Sequence, residues 1–535
     1  MAEQLSQRNL SSSSSAGWLG WIERIGNRLP HPMSLFVIGA FVVLVLSQVA
    51  DSSGWSVSKT VLEADADGLM QETVTQVEAQ GLLAGDGAYW ALDNLVKNFM
   101  EFAPLGVVLV GMLGIGIAER TGAISALLKV FMMITPRHLL TPAMIFIGVL
   151  SSMALDAGYV VLPPIAAALY KSVGRSPLAG LAAVFVGISA GFSANLLITG
   201  LDPLLAGFTT EGARILDPDY SVAATCNWWF MIVSTFLLTL VGWAVTAWIV
   251  EPRYANNSPE EGGPVPLTEE DIESQKITPA EVCGLWWAGG TVAVFLIALV
   301  LLVNPGGLLV WQMPLQGADG PFPRWVHAIV PLLFIFFLLP GLAYGIASKT
   351  IRSDHDVAKM MGKTMADMAP YIVLAFFAAQ FVAFFKKSNL GEMLALAGGR
   401  ALASTEMPAW LLIAGFILLV IVANLFIGSA SAKYAFFAPV FVPMFMAGGN
   451  ISPELTQAAY RVGDSCSNII TPLNPYVVIV LVFMQKYMPK GGIGTLVALM
   501  LPYAIVFAVV WTLMLLLWMA IGVELGPQGP LWYRG

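Results

Sequence analysis

Long apolar stretches constrain the fold of this chain more than any other feature of its sequence. A helix that crosses a lipid bilayer needs about 20 mostly apolar residues. Apolar residues make up 57% of the 535-residue chain and charged residues only 11%, and the mean hydropathy is +0.76. Soluble domains do not have this composition, so we predict an all-α polytopic protein embedded in a lipid bilayer. Uninterrupted candidate spans lie at about 33–50, 102–118, 222–250, 283–303, 326–346, 370–385 and 495–522.

Four further apolar segments carry polar residues or prolines. Stretches 139–170 and 409–446 are longer than one span and are interrupted, so we predict that each is one broken span. Segments 177–213 and 453–486 are rich in Gly, Ser, Asn, Thr and Pro, which suits a re-entrant hairpin better than a lipid-facing helix. The sequence therefore predicts nine transmembrane spans and two re-entrant hairpins. The interrupting residues are Asp156, Gly158, Pro163 and Pro164 in the first stretch and Asn424, Gly428, Lys433 and Pro439 in the second.

Basic residues orient these spans, because cytoplasmic loops carry an excess of Lys and Arg. Six spans separate the basic N-terminus from the basic loop 349–363 if 139–170 crosses once, so both lie inside; Lys171, Arg175, Lys386 and Lys387 then fall outside, against the rule. The predicted regions are a cytoplasmic N-terminal tail (1–32), a first transmembrane helix (33–50), an external loop (51–93), a first repeat (94–250) with its hairpin at about 177–213, a cytoplasmic linker (251–282), two connecting transmembrane helices (283–346), a second repeat (355–522) with its hairpin at about 453–486, and an external C-terminal tail (523–535).

The two halves of the chain share an internal repeat. At an offset of 276 residues, seven of the 14 positions in 176–189 are identical in 452–465, where background composition predicts roughly one. The first repeat is predicted to start outside and the second inside, so the repeats are inverted; counting each broken span as two crossings would make them parallel. Transporters with inverted repeats bind substrate and ion near the bilayer midplane, at broken helices. The structural alternative is a duplicated scaffold whose small residues serve close helix packing.

Several ionisable residues fall inside the predicted membrane segments. A charge at the bilayer centre costs roughly 2.5–3.5 kcal/mol on insertion scales, so each residue needs a partner or an aqueous cavity. Arg461 and Asp464 share a helical face, where they either pair structurally or divide the work between a substrate carboxylate and a coupling ion. Asp202 is either a helix cap or an ion carrier. Lys433 is expected to neutralise Asp156 or to extend toward the interface.

Polar residues also recur at the tips of the two predicted hairpins. Hydroxyl, amide and carboxylate oxygens are the ligands that a hard cation requires, and together these residues suit paired cradles for an ion or a substrate. Each one singly also suits a helix cap, and the residue types do not distinguish Na⁺ from H⁺. No resident cofactor or metal is expected beyond a Na⁺ site. The candidates for ion coupling are Asp202, Asp464, Ser193, Asn195, Thr199, Ser467, Asn468 and Thr471.

Other functional classes find little support. A net charge of −8 without a basic arm argues against nucleic acid binding, and the three cysteines lack a paired spacing, so no disulfide is expected. Gly187, Ser189 and Gly191 form the G-x-S-x-G pattern of serine hydrolases, but no strand precedes them and the four histidines lie at predicted span ends. The glycine-rich run from Gly111 to Gly116 indicates helix packing rather than dinucleotide binding. Broken helices and repeats favour alternating access over a channel.

Two long motifs resemble those of one transporter family. The stretches N-L-F-I-G-S-A-S-A-K-Y-A-F-F-A-P-V-F-V-P-M from Asn424 and S-P-E-L-T-Q-A-A-Y-R-V-G-D-S-C-S-N-I-I-T-P-L-N-P-Y from Ser452 are similar to the p-aminobenzoyl-glutamate transporter (AbgT) family, as is L-I-T-G-L-D-P-L-L-A-G at 197–207. The resemblance covers roughly residues 30–522. It implies a bacterial inner-membrane homodimer with nine transmembrane helices and two re-entrant hairpins. It also implies ion-coupled movement of p-aminobenzoyl-glutamate or export of sulfonamide antimetabolites.

The resemblance further implies which residues act in transport. Tyr434 stands where the family usually has Trp; it keeps an aromatic face for an aminobenzoyl ring and adds a hydroxyl. Pro453 and Pro472 break helices and are expected to position the hairpin. The implied substrate-binding or transport residues are Asn424, Ser431, Tyr434, Arg461, Asp464, Asp202, Pro453 and Pro472.

We therefore expect an ion-coupled carrier, and not an enzyme, for p-aminobenzoyl-glutamate and related folate-pathway compounds. Arg461 and the hairpin dipoles are expected to hold the carboxylate of this small amphipathic anion, and Tyr434 its ring. Asp202 and Asp464 are expected to couple the ion. Efflux of sulfonamide antimetabolites is part of the same expectation. The alternatives are a sodium-coupled carrier of other small carboxylates and an intramembrane serine hydrolase.

Overall fold

Helices dominate the structure, a computed structural model that describes residues 32–64, 70–136, 139–154, 157–266, 277–304, 307–309, 312–314, 321–471, 474 and 476–534. The first half contains α1 (Pro32–Ser52), β1 (Ser56–Ala64), β2 (Met70–Glu78), α2 (Gly85–Asp93), α3 (Leu95–Met100), α4 (Ala103–Arg120), α5 (Ala123–Met133), α6 (Leu140–Leu150), α7 (Ala157–Ser172), α8 (Pro177–Phe185, extended by the π-turn Val186–Ala190), α9 (Leu201–Ala213) and α10 (Trp228–Val245, extended through Thr246–Val250 and Glu251–Tyr254).

The second half follows the linker. It contains α11 (Pro279–Val303), β3 (Gln312–Pro314), β4 (Pro321–Pro323), α12 (Arg324–His327), α13 (Ile329–Ala347), α14 (Asp354–Asp367), α15 (Ala369–Lys387), α16 (Leu390–Ser404), α17 (Ala409–Asn424), α18 (Ala430–Gly449), α19 (Pro453–Ser467), α20 (Val477–Gln485) and α21 (Ile493–Ile521). Each of the seven predicted uninterrupted spans is found as one helix, namely α1, α4, α10, α11, α13, α15 and α21. The all-α membrane fold is therefore confirmed.

The helices α6 and α7 form a re-entrant hairpin, and the prediction that 139–170 crosses once is wrong. Thr141, at the start of α6, lies with its Oγ1 2.6 Å from the Tyr170 hydroxyl, at the end of α7. Arg175, just beyond α7, donates to the same Thr141 Oγ1 at 2.8 Å. The 11 residues of α6 extend only about 16 Å, roughly half of a 30 Å hydrocarbon core. The chain turns at Ser151–Ala154 and returns to the side from which it came.

The segment 177–213, predicted as a hairpin, is instead a crossing with a break in its middle. Ser176 caps the start of α8 and donates to the Gly262 carbonyl at 2.5 Å, beyond the C-terminal end of α10. The chain after α9 leads directly into the N-terminal end of α10. Since this helical stretch runs 27 residues from Trp228 to Tyr254, the two ends of 177–213 lie at opposite ends of a helix about 40 Å long.

In the second half, too, the predicted crossing is a hairpin and the predicted hairpin is a crossing. A Cβ on Gly449, at the end of α18, would lie 3.5 Å from Leu412, near the start of α17, so α17 and α18 form the hairpin and the predicted single crossing 409–446 is wrong. The segment 453–486 is a broken crossing. Ser452 donates to the Pro530 carbonyl at 2.6 Å, beyond one end of α21, whereas Gln485 donates to the Gly491 carbonyl at 3.0 Å, before its other end.

Within the described residues, this exchange changes which apolar segments are hairpins and which are broken crossings, and the predicted count of nine spans stays a prediction. We call the end of the bundle that carries residues 251–263 the inner end, and the end that carries 522–534 the outer end. The first hairpin opens at the inner end and the second at the outer end. Arg175 pairs with Glu251 at 2.5 Å, so the basic residues near 171–175 lie at the same end as the linker that the sequence predicts to be cytoplasmic, the side that the positive-inside rule favours.

Matched glycines let each broken crossing pack tightly on its neighbouring hairpin. A Cβ on Gly187 would lie 2.3 Å from the Ile145 carbonyl of α6, and one on Gly463 would lie 2.7 Å from the Ile417 carbonyl of α17. The contacts are related by the sequence repeat, since Ile417 follows Ile145 by 272 residues and Gly463 follows Gly187 by 276. The first and last residues of the G-x-S-x-G pattern are packing glycines, because a Cβ on Gly191 would lie 2.5 Å from Val149.

We expect Gly187→Val to destabilise the protein markedly, because its side chain would press against backbone rather than against a flexible side chain. Overpacking of this kind costs about 1–3 kcal/mol or more. Thermal unfolding of the detergent-purified protein measures the effect. Gly290→Val is the matched control, since a Cβ there meets nothing within 4 Å. Equal unfolding temperatures for the two variants would contradict the close contact.

Two segments at the outer end are tied to the helices. The loop between α1 and α2 contains the antiparallel pair β1 and β2, which is tied to α16 by an ion pair of 2.8 Å between Lys59 and Glu392. The C-terminal tail folds back onto the start of α19, where the amide of Tyr533 donates to the Asn450 carbonyl at 2.7 Å. Burial and the neighbouring Asp217 carboxylate raise the pKa of Tyr533 to about 12. Its hydroxyl therefore stays a donor to Asp217 at neutral pH.

Candidate functional site

The two hairpin turns and the two breaks in the crossings meet inside the bundle. In the first half, Asn195 from the break donates to the Ser152 hydroxyl of the hairpin turn at 2.9 Å. The Ser193 amide, also in the first break, donates to Ser465 Oγ on α19 at 3.1 Å. From the second break, Asn474 donates to Ser189 Oγ on the π-turn at 3.1 Å. Polar tips from both halves of the chain thus form one centre.

Asp202 and Arg461 form an ion pair that joins the halves at this centre. The Arg461 Nη2 lies 2.6 Å from Asp202 Oδ1, and the arginine is only 1% exposed. The other carboxylate oxygen of Asp202 accepts from the Thr199 amide at 2.6 Å and from the Thr199 hydroxyl at 2.9 Å. Asp202 thus holds the turn at Thr199, just before α9, and is also the partner of Arg461. Gly200 is the N-cap residue of α9 and makes no side-chain cap hydrogen bond, and the expected role of Asp202 as an ion carrier stays a prediction.

Asp464 has a different partner, although it shares a helical face with Arg461. Its Oδ1 lies 2.7 Å from the ammonium nitrogen of Lys433, and both side chains are at most 1% exposed. The Tyr460 hydroxyl also approaches this oxygen, at 3.3 Å. The expectation that Lys433 extends toward the interface is wrong, because the side chain is fully buried against Asp464; its other expected partner, Asp156, lies outside the described residues.

Asn424 links the second hairpin turn to the second break. Its amide nitrogen donates to Ser467 Oγ at 2.9 Å and to Asn468 Oδ1 at 2.8 Å, and its carbonyl oxygen accepts from Lys433 at 2.5 Å. Of the remaining ion-coupling candidates, Thr471 is also buried near the break. Asn424 therefore connects the Ser467 and Asn468 oxygens of the break to the buried ion pair of Lys433 and Asp464.

Three comparisons with known proteins agree. The sequence model of the AbgT putative transporter family matches residues 17–533. The chain belongs to this family. It is also 38% identical over 529 residues to the p-aminobenzoyl-glutamate transport protein of Escherichia coli strain K12, an alignment that covers 98% of this chain and 99% of that protein. An AbgT-family chain with these apolar helices is a multi-pass transporter of the bacterial inner membrane.

Two solved structures of transporters resemble this AbgT-family protein over nearly its whole length. The YdaH transporter of Alcanivorax borkumensis is 42% identical, with a TM-score of 0.83 over 93% of this chain and 100% of that one. MtrF of Neisseria gonorrhoeae, described as illuminating a class of antimetabolite efflux pumps, is 40% identical, with a TM-score of 0.86 over 96% of this chain and 100% of that one.

Tyr434, where the resemblance leads us to expect Trp, is fully buried in this AbgT-family transporter. Its ring lies 4.2 Å from that of Tyr460, and its hydroxyl lies 2.7 Å from Thr209 Oγ1. The hydroxyl that Trp lacks is therefore satisfied within the protein. Ser431 is half-buried at the start of α18 and lies 3.3 Å from Ser429 Oγ. Pro453 begins α19, as a helix-positioning proline should, and Pro472 lies outside the described residues.

Sequence reasoning missed a polar stripe along α19 of this AbgT-family protein. Glu454 is 2% exposed, and both of its carboxylate oxygens accept from the Tyr220 hydroxyl, at 3.0 and 3.2 Å. Gln457 donates to Asn227 at 3.0 Å and accepts from Thr209 at 2.6 Å. The signal was present in the sequence, since the polar residues recur every three or four positions. The stripe comprises Glu454, Gln457, Arg461, Asp464 and Asn468.

Proposed function

We propose that this transporter carries p-aminobenzoyl-glutamate or a closely related amphipathic aromatic anion, and that its movement is coupled to Na⁺ or H⁺. The Escherichia coli relative is a p-aminobenzoyl-glutamate transport protein, and MtrF is described as illuminating a class of antimetabolite efflux pumps. A sulfonamide antimetabolite shares the aminobenzene ring of this substrate, so export of sulfonamides belongs to the same proposal.

The single observation that carries the proposal is the buried pair of Arg461 and Asp202. Arg461 donates to Asp202 through Nη2, but its Nη1 makes only a 3.5 Å contact to the Ser193 carbonyl, and its Nε has no hydrogen-bond partner among the described residues. A guanidinium has five donors that match a carboxylate in a fork. A substrate carboxylate that displaces Asp202 therefore gains a bidentate pair with Arg461.

The displacement supplies a physical basis for coupling. An ionised Asp202 that loses its arginine is costly inside the membrane, so it takes up a proton or a sodium ion when the substrate binds. The Thr199 hydroxyl, 2.9 Å from Asp202 Oδ2, offers a further oxygen ligand next to the carboxylate. Asn195, Ser467, Asn468 and Thr471 supply oxygens at the two breaks, where paired ion sites are expected.

The aromatic end of the substrate is proposed to contact Tyr434, as the resemblance implies. In the described conformation Tyr434 packs against Tyr460, so this contact requires the α17–α18 hairpin to move away from α19. Alternating access by movement of one element against another provides such an opening. We also propose that the functional unit is a homodimer, as the resemblance implies.

Flux in reconstituted vesicles tests the proposal. Labelled p-aminobenzoyl-glutamate and a labelled sulfonamide are followed in both directions, with a Na⁺ gradient and a proton gradient imposed separately. We expect saturable, uphill flux of at least one compound with one of the gradients. Citrate and succinate are the comparison substrates, and flux of these alone would favour a carrier of other carboxylates. No flux above that of protein-free vesicles under either gradient would overturn the proposal.

We further propose that transport involves no enzymatic step at Ser189. The Ser189 hydroxyl is fully buried and accepts a hydrogen bond from the Asn474 amide, which cannot take up its proton. Ser189→Ala is therefore expected to retain at least about half of the wild-type flux, since it removes one buried hydrogen bond worth about 1 kcal/mol. If wild type hydrolyses the amide bond of p-aminobenzoyl-glutamate and Ser189→Ala loses both this activity and flux, the hydrolase alternative would be favoured.

A further inference from the structure

The ammonium group of Lys433 occupies a fully enclosed oxygen pocket. The side chain is 0% exposed, and its Nζ lies 2.5 Å from Asn424 Oδ1 and 2.7 Å from Asp464 Oδ1. The Tyr460 ring centroid is 5.7 Å away, within the range of a cation–π contact. A carboxylate oxygen and an amide oxygen beside a helix break are the ligands that a free monovalent cation takes in broken-helix transporters.

The corresponding place in the first half has neither charge. At an offset of 275 residues, Gly158 and Tyr159 align with Lys433 and Tyr434, and at an offset of 276 Ile188 aligns with Asp464. The two first-half positions are neighbours in space as well, because a Cβ on Gly158 would lie 3.7 Å from Ile188 Cγ2. The first half thus folds with Gly158 and Ile188 at the positions that match the Lys433–Asp464 ion pair. Packing alone does not explain why the second half has it.

The pocket also has an unused ligand. Asp464 Oδ2 is buried and has no hydrogen-bond partner in the described part of the chain. A lysine tethered to α18 approaches the carboxylate from one side and engages only Oδ1. A free cation is not restricted in this way and can engage both oxygens of the carboxylate.

We propose that the Lys433 ammonium is a tethered cation, which fills at the second break the position that a free monovalent coupling cation would otherwise take. This inference rests on the proposed ion-coupled transport. A positive charge that is bonded to the chain stays in the transporting core throughout the cycle. The second break therefore exchanges no cation at this position, and an exchangeable ion must bind elsewhere.

Lys433→Gly tests the inference. It introduces glycine, the residue at the matching position 158 of the first half, and it leaves the Asn424 and Asp464 oxygens without an ammonium group. We expect this variant to unfold at a lower temperature than wild type in choline chloride. Sodium, lithium or methylammonium chloride at about 0.3 M and equal ionic strength should raise its unfolding temperature by about 3 °C or more, since a ligand that binds only the folded state stabilises it. Wild type should show a smaller rise, because its pocket is occupied.

The matched control is the double variant Lys433→Gly and Asp464→Ile, which reproduces the residue pair of the first half. It should fold and show no more cation response than wild type. An equal response in the double variant, or a Lys433→Gly response no larger than that of wild type, would overturn the inference. If Lys433→Gly and Lys433→Ala both fail to fold in every cation while the double variant folds, the pocket does not accept a free cation and the inference is also wrong.

Flux provides a second readout. Lys433→Gly should lose at least about tenfold in transport of p-aminobenzoyl-glutamate in choline, the effect of about 1.4 kcal/mol, and should regain flux when sodium or methylammonium is present on both sides. Wild-type flux in choline from Lys433→Gly would contradict the inference. If wild-type protein itself moves no p-aminobenzoyl-glutamate, the proposed substrate fails, while the unfolding measurement still decides the role of Lys433.

Discussion

Replacement of Arg461 by alanine is expected to abolish transport, with a loss of about 30-fold or more. Truncating one partner of a buried, hydrogen-bonded charge pair costs about 2–5 kcal/mol, much of it because the other charge is left unpaired. Here the unpaired charge is Asp202, whose Oδ1 lies 2.6 Å from the arginine. The proposed substrate carboxylate loses its only arginine at the same time. Initial flux of labelled p-aminobenzoyl-glutamate in vesicles measures the effect.

Two variants separate substrate binding from folding in this pair. Arg461→Lys keeps the charge but loses the planar fork, so we expect weak flux with a raised half-saturation concentration. Asp202→Asn keeps an oxygen that can accept from Thr199 and preserve the turn before α9, but it removes the ionisable group. This variant should still exchange substrate across the membrane without accumulating it against a gradient. Near wild-type uphill flux in Arg461→Ala would refute the role assigned to the arginine.

The class of this protein could be predicted from hydropathy because the bilayer imposes a minimum length on each apolar helix. The same pattern could not tell a re-entrant hairpin from a broken crossing. Both need a polar break at membrane depth, and the difference lies in where the two ends of the segment go. That information comes from contacts between distant residues, such as Thr141 with Tyr170 and Ser176 with Gly262. The sequence contained one sign that 139–170 is not a single crossing: the predicted topology placed Lys171 and Arg175 outside, against the positive-inside rule.

The charged residues of the site could be identified from their cost in lipid, but their partners could not. Arg461 and Asp464 are three residues apart on α19, so a pair between them was a reasonable local expectation. Instead Arg461 reaches Asp202 from the first half, and Asp464 reaches Lys433 on α18. Which charged residues pair across a helix bundle depends on how the helices pack, and the spacing of residues along the sequence does not give this information.

Replacement of Asp464 by alanine is expected to remove both transport and much of the stability of the protein. The pairing of Asp464 with Lys433 means that the substitution affects folding as well as transport. The ammonium would stay buried with only the Asn424 oxygen and the Tyr460 ring as partners. Removing one member of a buried ion pair typically costs about 3–5 kcal/mol. Thermal unfolding in detergent should therefore show a lower midpoint than for Asp464→Asn, which keeps an oxygen ligand for Lys433.

The double variant Lys433→Gly and Asp464→Ile distinguishes structural from functional loss. Replacing a buried ion pair by apolar residues of suitable volume is often neutral or stabilising, and the first half already packs Gly158 near Ile188. The double variant should recover the unfolding midpoint but not uphill flux, because the carboxylate and the ammonium at the second break are both gone. Recovery of flux along with stability would mean that the pair serves folding alone. Recovery of neither would mean that the second half, unlike the first, cannot be built around an apolar pair at this position.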